Sequence, residues 1–164
     1  MIKVLFVCLG NVCRSPMAEF VFKDMVKKQG MENSFYISSA GTSSYNEKVR
    51  EETDYRVIEL LKSENIPYEK HISRQIRKED YDKYDYIIAM ENRHIREIKN
   101  IVGSDDKGKV KRLLDYTNNP KDIEDPWYSG DFDKAYYDIL HGCTELMRYL
   151  KNKENIFSYF FNKN

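Results

Sequence analysis

The sequence predicts an α/β fold, a three-layer sandwich in which a mostly parallel sheet is covered by helices on both faces. Apolar, β-favouring runs alternate along the chain with stretches whose apolar residues recur at helical spacing. Such alternation is typical of parallel sheets with helical crossovers. The length of 164 residues fits one domain with a substantial core.

Five segments are predicted to be extended, because each is a short run rich in β-branched, aromatic or other apolar residues. In chain order they are residues 2–7, 35–39, 67–72, 84–90 and 111–114, of which 67–72 has the weakest pattern and 111–114 is the shortest.

Four segments are predicted to be helices, because apolar residues fall on one face of each. They are residues 17–29, 51–63, 91–102 and 131–151. We expect a single domain over residues 1–152. The remaining tail, 153–164, is rich in aromatic residues, and we expect a short extra helix packed on the body or, alternatively, an oligomer contact.

Composition excludes several function classes. Lys plus Arg and Asp plus Glu number 27 each, so the formal net charge is zero, whereas nucleic-acid binders usually carry a basic excess. The chain lacks an apolar run of membrane-spanning length, and residues 1–16 lack the apolar core of a signal peptide. Three Cys residues, an odd count, argue against a disulfide framework. We therefore expect a cytoplasmic protein without nucleic-acid or membrane partners.

The segment that carries chemistry follows the first predicted strand and opens the first helix. Unsatisfied N–H groups at a helix N-terminus favour an anion, and Gly10 and Asn11 tolerate the backbone conformations that let successive N–H groups converge. Arg14 adds a planar fork that can grip two phosphate oxygens. The predicted phosphate-binding residues are Leu9, Gly10, Asn11, Val12, Cys13, Arg14 and Ser15.

Cys8 lies at the base of this cup and is the candidate nucleophile. The field that binds phosphate also stabilises a thiolate, so Cys8 is predicted to be a thiolate at neutral pH. Ser15 is predicted to cap the helix ahead of Pro16 and to donate its hydroxyl to the Cys8 sulfur. A zinc site would need more ligands than the Cys8–Cys13 spacing offers, and a Walker-type loop would end in Gly-Lys-Ser/Thr.

A thiolate that attacks a phosphate monoester expels an oxygen. If that oxygen belongs to tyrosine, whose hydroxyl has a pKa of ~10, a carboxylic acid above the cup helps by protonating it as it leaves. Asp125 is the candidate, because Pro126 restricts it and Trp127 and Tyr128 offer aromatic walls for a flat ring. The residues alone leave open whether Asp125 is a general acid for the leaving oxygen or simply part of an acidic surface loop with an aromatic anchor.

With both the loop after Cys8 and the segment that begins at Asp125, the chain strongly resembles the low-molecular-weight protein tyrosine phosphatases over about residues 2–150. The matching segments are Val7 to Pro16, Ser39-Ala40-Gly41-Thr42, Asp54-Tyr55-Arg56, His71 with Arg74-Gln75, Asp85-Tyr86-Ile87, Met90 and Asp125-Pro126.

The resemblance implies a four-stranded parallel sheet with flavodoxin-like topology, and a phosphotyrosine-containing protein or peptide as substrate. It implies Cys8 as nucleophile, Arg14 as phosphate clamp and Asp125 as general acid and then base, with inorganic phosphate as product. No metal or other cofactor is implied, because loop N–H groups and the arginine carry the charge. We expect the protein to act as a monomer, with weak self-association as the alternative.

The resemblance also implies supporting roles. Asn11 would hold a left-handed conformation, braced by Ser39 and His71, and Tyr45 would line the ring slot with Trp127 and Tyr128. Family members often carry Met-Asp where this chain has Met90-Glu91, which leaves open whether a carboxylate at that point supports His71.

Two alternatives concern the loop itself. Cys13 is predicted to form a reversible disulfide with an oxidised Cys8, although simple packing of its side chain is the alternative. Protein-arginine phosphatases resemble Cys-Thr-Gly-Asn-Thr-Cys-Arg-Ser, with Thr where this chain has Val12, and an apolar residue there favours an aromatic ring. An arsenate reductase would need further cysteines, and a non-catalytic binder would lack Cys8 or Asp125.

Overall fold

A computed structural model describes residues 1–156 of the chain. Four strands, β1 (Ile2–Cys8), β2 (Phe35–Gly41), β3 (Tyr86–Ala89) and β4 (Val110–Arg112), form one sheet in the order β2-β1-β3-β4. Every neighbouring pair is parallel. The predicted α/β fold with a four-stranded parallel sheet in flavodoxin-like order is therefore confirmed.

Helices cover both faces of the sheet. In chain order they are α1 (Arg14–Lys28), α2 (Tyr45–Lys48), α3 (Tyr55–Ser63), α4 (Asp80–Lys83), α5 (Asn92–Val102), α6 (Pro126–Ser129) and α7 (Phe132–Lys153), with single 3-10 turns at Glu32–Ser34 and Leu113–Tyr116. The predicted helices over 91–102 and 131–151 correspond to α5 and α7.

From Val4 to Cys8 the central strand is continuously apolar because both of its faces are buried there, and Lys3 near its start is half-buried. Val4 and Phe6 belong to the cluster under α1 and α7, whereas Leu5 and Val7 face the cluster under α5, and all four are 0 % exposed. This three-layer arrangement places the carboxyl end of β1, with the loop that follows it, between the helices of the two faces.

The predicted strand over 67–72 is wrong. Within the described residues this segment makes a single bridge, between Ile72 and Glu52, and residues 67–70 are exposed. The segment lacks the alternating apolar pattern that would bury one face, so it runs along the surface until Ile72. The last predicted strand, 111–114, is displaced: β4 ends at Arg112, and a 3-10 turn follows.

Two helix starts differ from the prediction. The helix predicted over 51–63 begins at Tyr55, because the Asp54 side chain accepts from the backbone N–H of Arg56 and caps it. The first helix begins at Arg14 rather than residue 17, with Cys13 as the capping position and without a side-chain cap bond. Ser15 therefore lies inside the first turn, and its predicted role as helix cap is wrong.

Helix α7 ends at Lys153, and the chain is described as far as Ile156, which packs against the core. The extra helix or oligomer contact expected in the 153–164 tail falls mostly outside the described residues. Across residues 1–156, none of the helices combines the length and the apolar character needed to cross a bilayer.

Candidate active site

The loop that follows β1 is held in place by the end of β2. The backbone N–H groups of Thr42 and Ser43 donate to the carbonyls of Cys8 and Leu9, each at 2.9 Å. This approach requires glycine at position 41, because a Cβ there would lie 2.6 Å from the Leu9 carbonyl oxygen. The loop thus leads directly into the start of α1 at Arg14, where the free backbone N–H groups of a helix N-terminus favour an anion.

Cys8 sits at the base of this loop, 3 % exposed. Its Sγ lies 3.0 Å from the Ser15 Oγ and accepts from the backbone N–H of Asn11 at 3.3 Å. Ser15 Oγ is also 3.2 Å from the Ala40 carbonyl oxygen. Ser15 has a single hydroxyl proton, so it can serve a thiolate or that carbonyl, but not both. The contact predicted between Ser15 and Cys8 is thus present.

Asn11 fixes the shape of the loop. It is fully buried with φ 58°, in the left-handed region. Its Nδ2 donates to the hydroxyls of Ser15 and Ser39 at 2.9 and 3.0 Å. Its Oδ1 lies 3.0 Å from His71 Nε2 and accepts from the backbone N–H of Arg74 at 3.1 Å. Ser15 within the loop and two other segments, β2 and residues 71–74, thus hold a backbone conformation that is otherwise unfavourable for a non-glycine residue.

His71 donates through Nε2, because the Asn11 oxygen can only accept. Burial lowers the pKa of His71, and the nearby Glu19 carboxylate opposes this shift. Glu19 is itself buried and accepts from Ser39 Oγ and from Lys23 Nζ, both at 2.6 Å. The carboxylate that acts on His71 is therefore Glu19, and not the residue after Met90.

Arg14 is 2 % exposed, and its guanidinium is anchored at one end. NH1 donates to Glu91 Oε2 at 2.6 Å and to the Ile123 carbonyl oxygen at 2.7 Å. NH2 lies 3.3 Å from Asp125 Oδ2. With NH1 fully used, the opposite edge of the fork is the part that can receive an anion in the loop.

Asp125 stands at the mouth of the same loop. It caps α6, since its Oδ1 accepts from the backbone N–H of Trp127 at 3.0 Å. Its other oxygen faces Arg14. Pro126 at the first helical position fixes the turn. The carboxylate is thereby held over the arginine by the geometry of its own helix start.

A cavity of about 680 Å³ joins these groups. Its aromatic rim consists of Tyr45, Trp127 and Tyr128, which are 66 %, 54 % and 80 % exposed and are thus free to meet a substrate ring. The Arg56 guanidinium lies 5.4 Å from the Trp127 ring centroid and 4.5 Å from that of Phe132, and it supports the rim from below. The cavity is lined by Cys8, Leu9, Gly10, Val12, Cys13, Arg14, Ser43, Tyr45, Asn46, Val49, Glu51, Asp125, Trp127 and Tyr128.

The other two cysteines differ in position. Cys13 lines the cavity, and burial, followed by the charges of Asp54, Cys8 and Asp125, raises the pKa of its thiol well above its usual range. Cys143 is fully buried in α7, and burial raises the pKa of its thiol too. All three cysteines are free.

Sequence reasoning missed the partner of Arg14. Glu91 follows β3, the strand that pairs with β1, so its carboxylate reaches the same edge of the sheet as the loop after Cys8. The position directly after a central strand was the available signal. Asn46 and Glu51, joined by a 2.6 Å hydrogen bond on the cavity wall, were also missed, and the sequence around them carries no motif that would single them out.

Comparison with known proteins gives the family of the chain. The family model described as low molecular weight phosphotyrosine protein phosphatase matches residues 3–156. The low molecular weight phosphotyrosine protein phosphatase of Saccharomyces cerevisiae is 42 % identical over 154 residues, which is 90 % of this chain and 94 % of the yeast protein. The crystal structure of YfkJ from Bacillus subtilis superimposes with a TM-score of 0.89 at 36 % identity and covers 94 % of this chain and 97 % of YfkJ. The structure of a Drosophila arginine phosphatase has a TM-score of 0.81 at 35 % identity, covering 92 % and 98 % of the two chains. With a match over nearly its whole length, the chain belongs to the low molecular weight phosphotyrosine protein phosphatase family.

Proposed function

We propose that this chain hydrolyses phosphotyrosine in proteins through a cysteinyl-phosphate intermediate. The observation that carries the proposal is the convergence of three groups in one cavity: the buried Cys8 sulfur, the anchored Arg14 fork and the Asp125 carboxylate 3.3 Å from that fork. The supporting groups, Asn11 with Ser39 and His71, keep the loop in the conformation that receives phosphate.

In the first step the Cys8 thiolate attacks phosphorus, and an S–P bond forms as the P–O bond to the phenol breaks. Protonated Asp125 gives its proton to the departing phenol oxygen. Arg14 and the loop N–H groups hold the remaining phosphoryl oxygens, whose charge they stabilise without a metal ion.

In the second step water attacks phosphorus while the Asp125 carboxylate takes a proton from it. The S–P bond breaks, inorganic phosphate leaves, and Cys8 returns as thiolate with Asp125 protonated, ready for the next substrate. Ser15 assists as donor: its hydroxyl turns from the Ala40 carbonyl to the sulfur when the thiolate is free.

The rim favours phosphotyrosine over phosphoserine. Cys8 is nearly inaccessible at the base of the cup, and Tyr45, Trp127 and Tyr128 stand above it. A phosphoryl group on a long, flat side chain can reach the sulfur while its ring contacts these aromatic side chains. A phosphoserine would have to bring its backbone into the cup.

Phosphoarginine is the second candidate substrate, because a solved neighbour is named as an arginine phosphatase. Val12, which lines the cavity and is 8 % exposed, bears on the choice. Its side chain offers apolar contact to a ring and lacks a hydroxyl that could pair with a guanidinium. We infer that phosphotyrosine is preferred.

Three further points are proposed. Cys13, which lines the same cavity as Cys8, is the resolving thiol that traps an oxidised Cys8 as a disulfide. The protein acts in the cytoplasm, where three free thiols persist. It acts as a monomer, which sedimentation at working concentration would test.

The deciding experiment is hydrolysis of matched phosphotyrosyl, phosphoseryl and phosphoarginyl peptides with and without a chelator. We expect turnover of the phosphotyrosyl peptide that is insensitive to chelator and abolished in Cys8→Ser. Preference for phosphoarginine would reverse the substrate assignment. Lack of turnover with all three peptides would refute the proposed activity.

A further inference from the structure

A buried histidine outside the cavity faces the residue that anchors the phosphate clamp. His94, at the third position of α5, is 0 % exposed. Its Nδ1 accepts from the backbone N–H of Glu91 at 3.2 Å, and its own backbone N–H donates to the Glu91 carbonyl at 3.1 Å. Through Nδ1, His94 therefore caps the start of α5.

The other ring nitrogen has a different environment. Because Nδ1 accepts a hydrogen bond, the proton of the neutral ring must lie on Nε2. Within residues 1–156, Nε2 is buried without a hydrogen-bond partner. Glu91 Oε2 lies 3.5 Å away, and this is the same oxygen that accepts from Arg14 NH1 at 2.6 Å.

The charges around His94 keep it neutral. Burial, and then Arg14 and Arg93, lower its pKa to about 3, while Asp122 opposes the shift. Across the pH range in which a phosphatase works, the ring is thus a fixed N–H donor directed by its capping contact, and it is not a proton carrier.

We propose that His94 is a positioning residue for the phosphate clamp, its Nε2–H holding the Glu91 carboxylate against Arg14. This rests on the proposed role of Arg14. Glu91 has several rotatable bonds and is 21 % exposed, and besides Arg14 its side chain faces the backbone N–H of His94, in a capping box, and the His94 ring. A separation of 3.5 Å is long for a hydrogen bond, and contacts of this kind tighten when an anion occupies the site.

The helix cap accounts for one ring nitrogen and leaves the other unexplained. An asparagine at position 94 would keep an acceptor where Nδ1 lies, because its amide oxygen is at the same distance along the side chain. A glutamine would carry an amide N–H near the position of Nε2. His94→Asn therefore retains the cap and removes the donor, whereas His94→Gln does the reverse.

The test measures three quantities in both variants: kcat/KM for a phosphotyrosyl peptide, the Kd of inorganic phosphate by calorimetry, and the Tm. For His94→Asn we expect kcat/KM to fall and phosphate Kd to rise about fivefold to tenfold, which is within the net effect of one typical hydrogen bond, with little change in Tm. His94→Gln should recover most of the kinetic loss and show a lower Tm. His141→Asn, on the exposed side of α7, is the matched control.

A double-mutant cycle decides whether His94 acts through Glu91. In a Glu91→Ala background, which has no side-chain acceptor for His94 Nε2 or Arg14, His94→Asn should cause no further change in phosphate Kd. The inference would be overturned if His94→Asn weakened phosphate binding equally in both backgrounds, or if it left the phosphate Kd at its wild-type value. It would also be overturned if His94→Gln weakened phosphate binding as much as His94→Asn does. Phosphate binding requires no turnover, so an inactive wild-type protein would refute the proposed function while this test still gave its answer.

Discussion

Replacement of Asp125 by asparagine separates its two roles. Its Oδ1 caps α6, and its other oxygen faces Arg14 at 3.3 Å. Asparagine is as good a helix cap as aspartate, so Asp125→Asn should fold with a Tm close to wild type. What it removes is the proton that the leaving oxygen needs.

The expected loss depends on the leaving group. A positioned general acid contributes about 10²- to 10⁴-fold, which corresponds to ~2.7–5.4 kcal/mol of transition-state stabilisation. This full loss is expected for a phosphotyrosyl peptide, whose phenol has a pKa of ~10. Nitrophenol is much more acidic and leaves without help, so the loss in phosphoryl transfer to Cys8 should be at least ~10-fold smaller for nitrophenyl phosphate.

Rapid-quench kinetics with both substrates measures formation of the cysteinyl-phosphate separately from its hydrolysis. Asp131→Asn is the matched control, because Asp131 caps α7 through a 2.9 Å bond to the backbone N–H of Lys134 and lies outside the cavity lining. It should leave both rates unchanged. An equal drop of the first-step rate for both substrates in Asp125→Asn would refute the general-acid role.

Three more outcomes are expected. Gly41→Ala places a Cβ 2.6 Å from the Leu9 carbonyl oxygen, so urea titration should show a free energy of unfolding that is ~1–3 kcal/mol lower, and kcat should fall. Unchanged stability and kcat would contradict this prediction, because they would mean that the loop accommodates the Cβ without strain. After enough peroxide to oxidise an unprotected sulfenic acid to the irreversible sulfinic acid, thiol reductant should restore the activity of the wild-type protein, in which Cys13 traps the Cys8 sulfenic acid as a disulfide, but not that of Cys13→Ser. Equal recovery of the two proteins would contradict the resolving role of Cys13. The pKa of His94 is lowered from 6.5 to about 3, so the unfolded chain binds more protons in this interval and stability falls as pH decreases through it. This pH dependence of the free energy of unfolding has a slope of up to ~1.4 kcal/mol per pH unit, and His94→Asn should lack it when unfolding is measured from pH 7 to 3. Parallel stability curves for the wild-type protein and His94→Asn would contradict this prediction.

The elements that sequence predicts well are those whose pattern has a single physical explanation. The run from Val4 to Cys8 is apolar throughout because β1 is covered on both faces, and that leaves few alternatives to a central parallel strand. The long helix α7 was predictable because its apolar residues recur on one side, whereas the number of strands came from the family resemblance and not from the residue pattern, which gave five extended segments. The segment 67–72 was misassigned because it has β-favouring residues without a face to bury.

The prediction of hydrogen-bond and ion-pair partners was weaker where a polar side chain has several possible partners nearby. Serine is a residue type that often caps helices, but the Ser15 hydroxyl instead makes hydrogen-bond contacts with Cys8, Asn11 and Ala40. Glu91 was considered as support for His71, although it pairs with Arg14. Both outcomes depend on distances between elements that are set by the packing of whole strands and helices, which local sequence does not specify.

The anchors of the phosphate loop come from outside the loop, and this has a consequence for catalysis. Asn11 is held by Ser39 and His71 at the end of β2 and beyond it, its carbonyl accepts from Ser73, and Glu91 after β3 holds Arg14. Donors that are already oriented stabilise developing charge without reorganising during the reaction. Loss of one such anchor frees a few atoms around the anion while the sheet and its two apolar clusters remain intact. Substitutions at these anchors should therefore reduce kcat/KM and phosphate affinity far more than they reduce the free energy of unfolding.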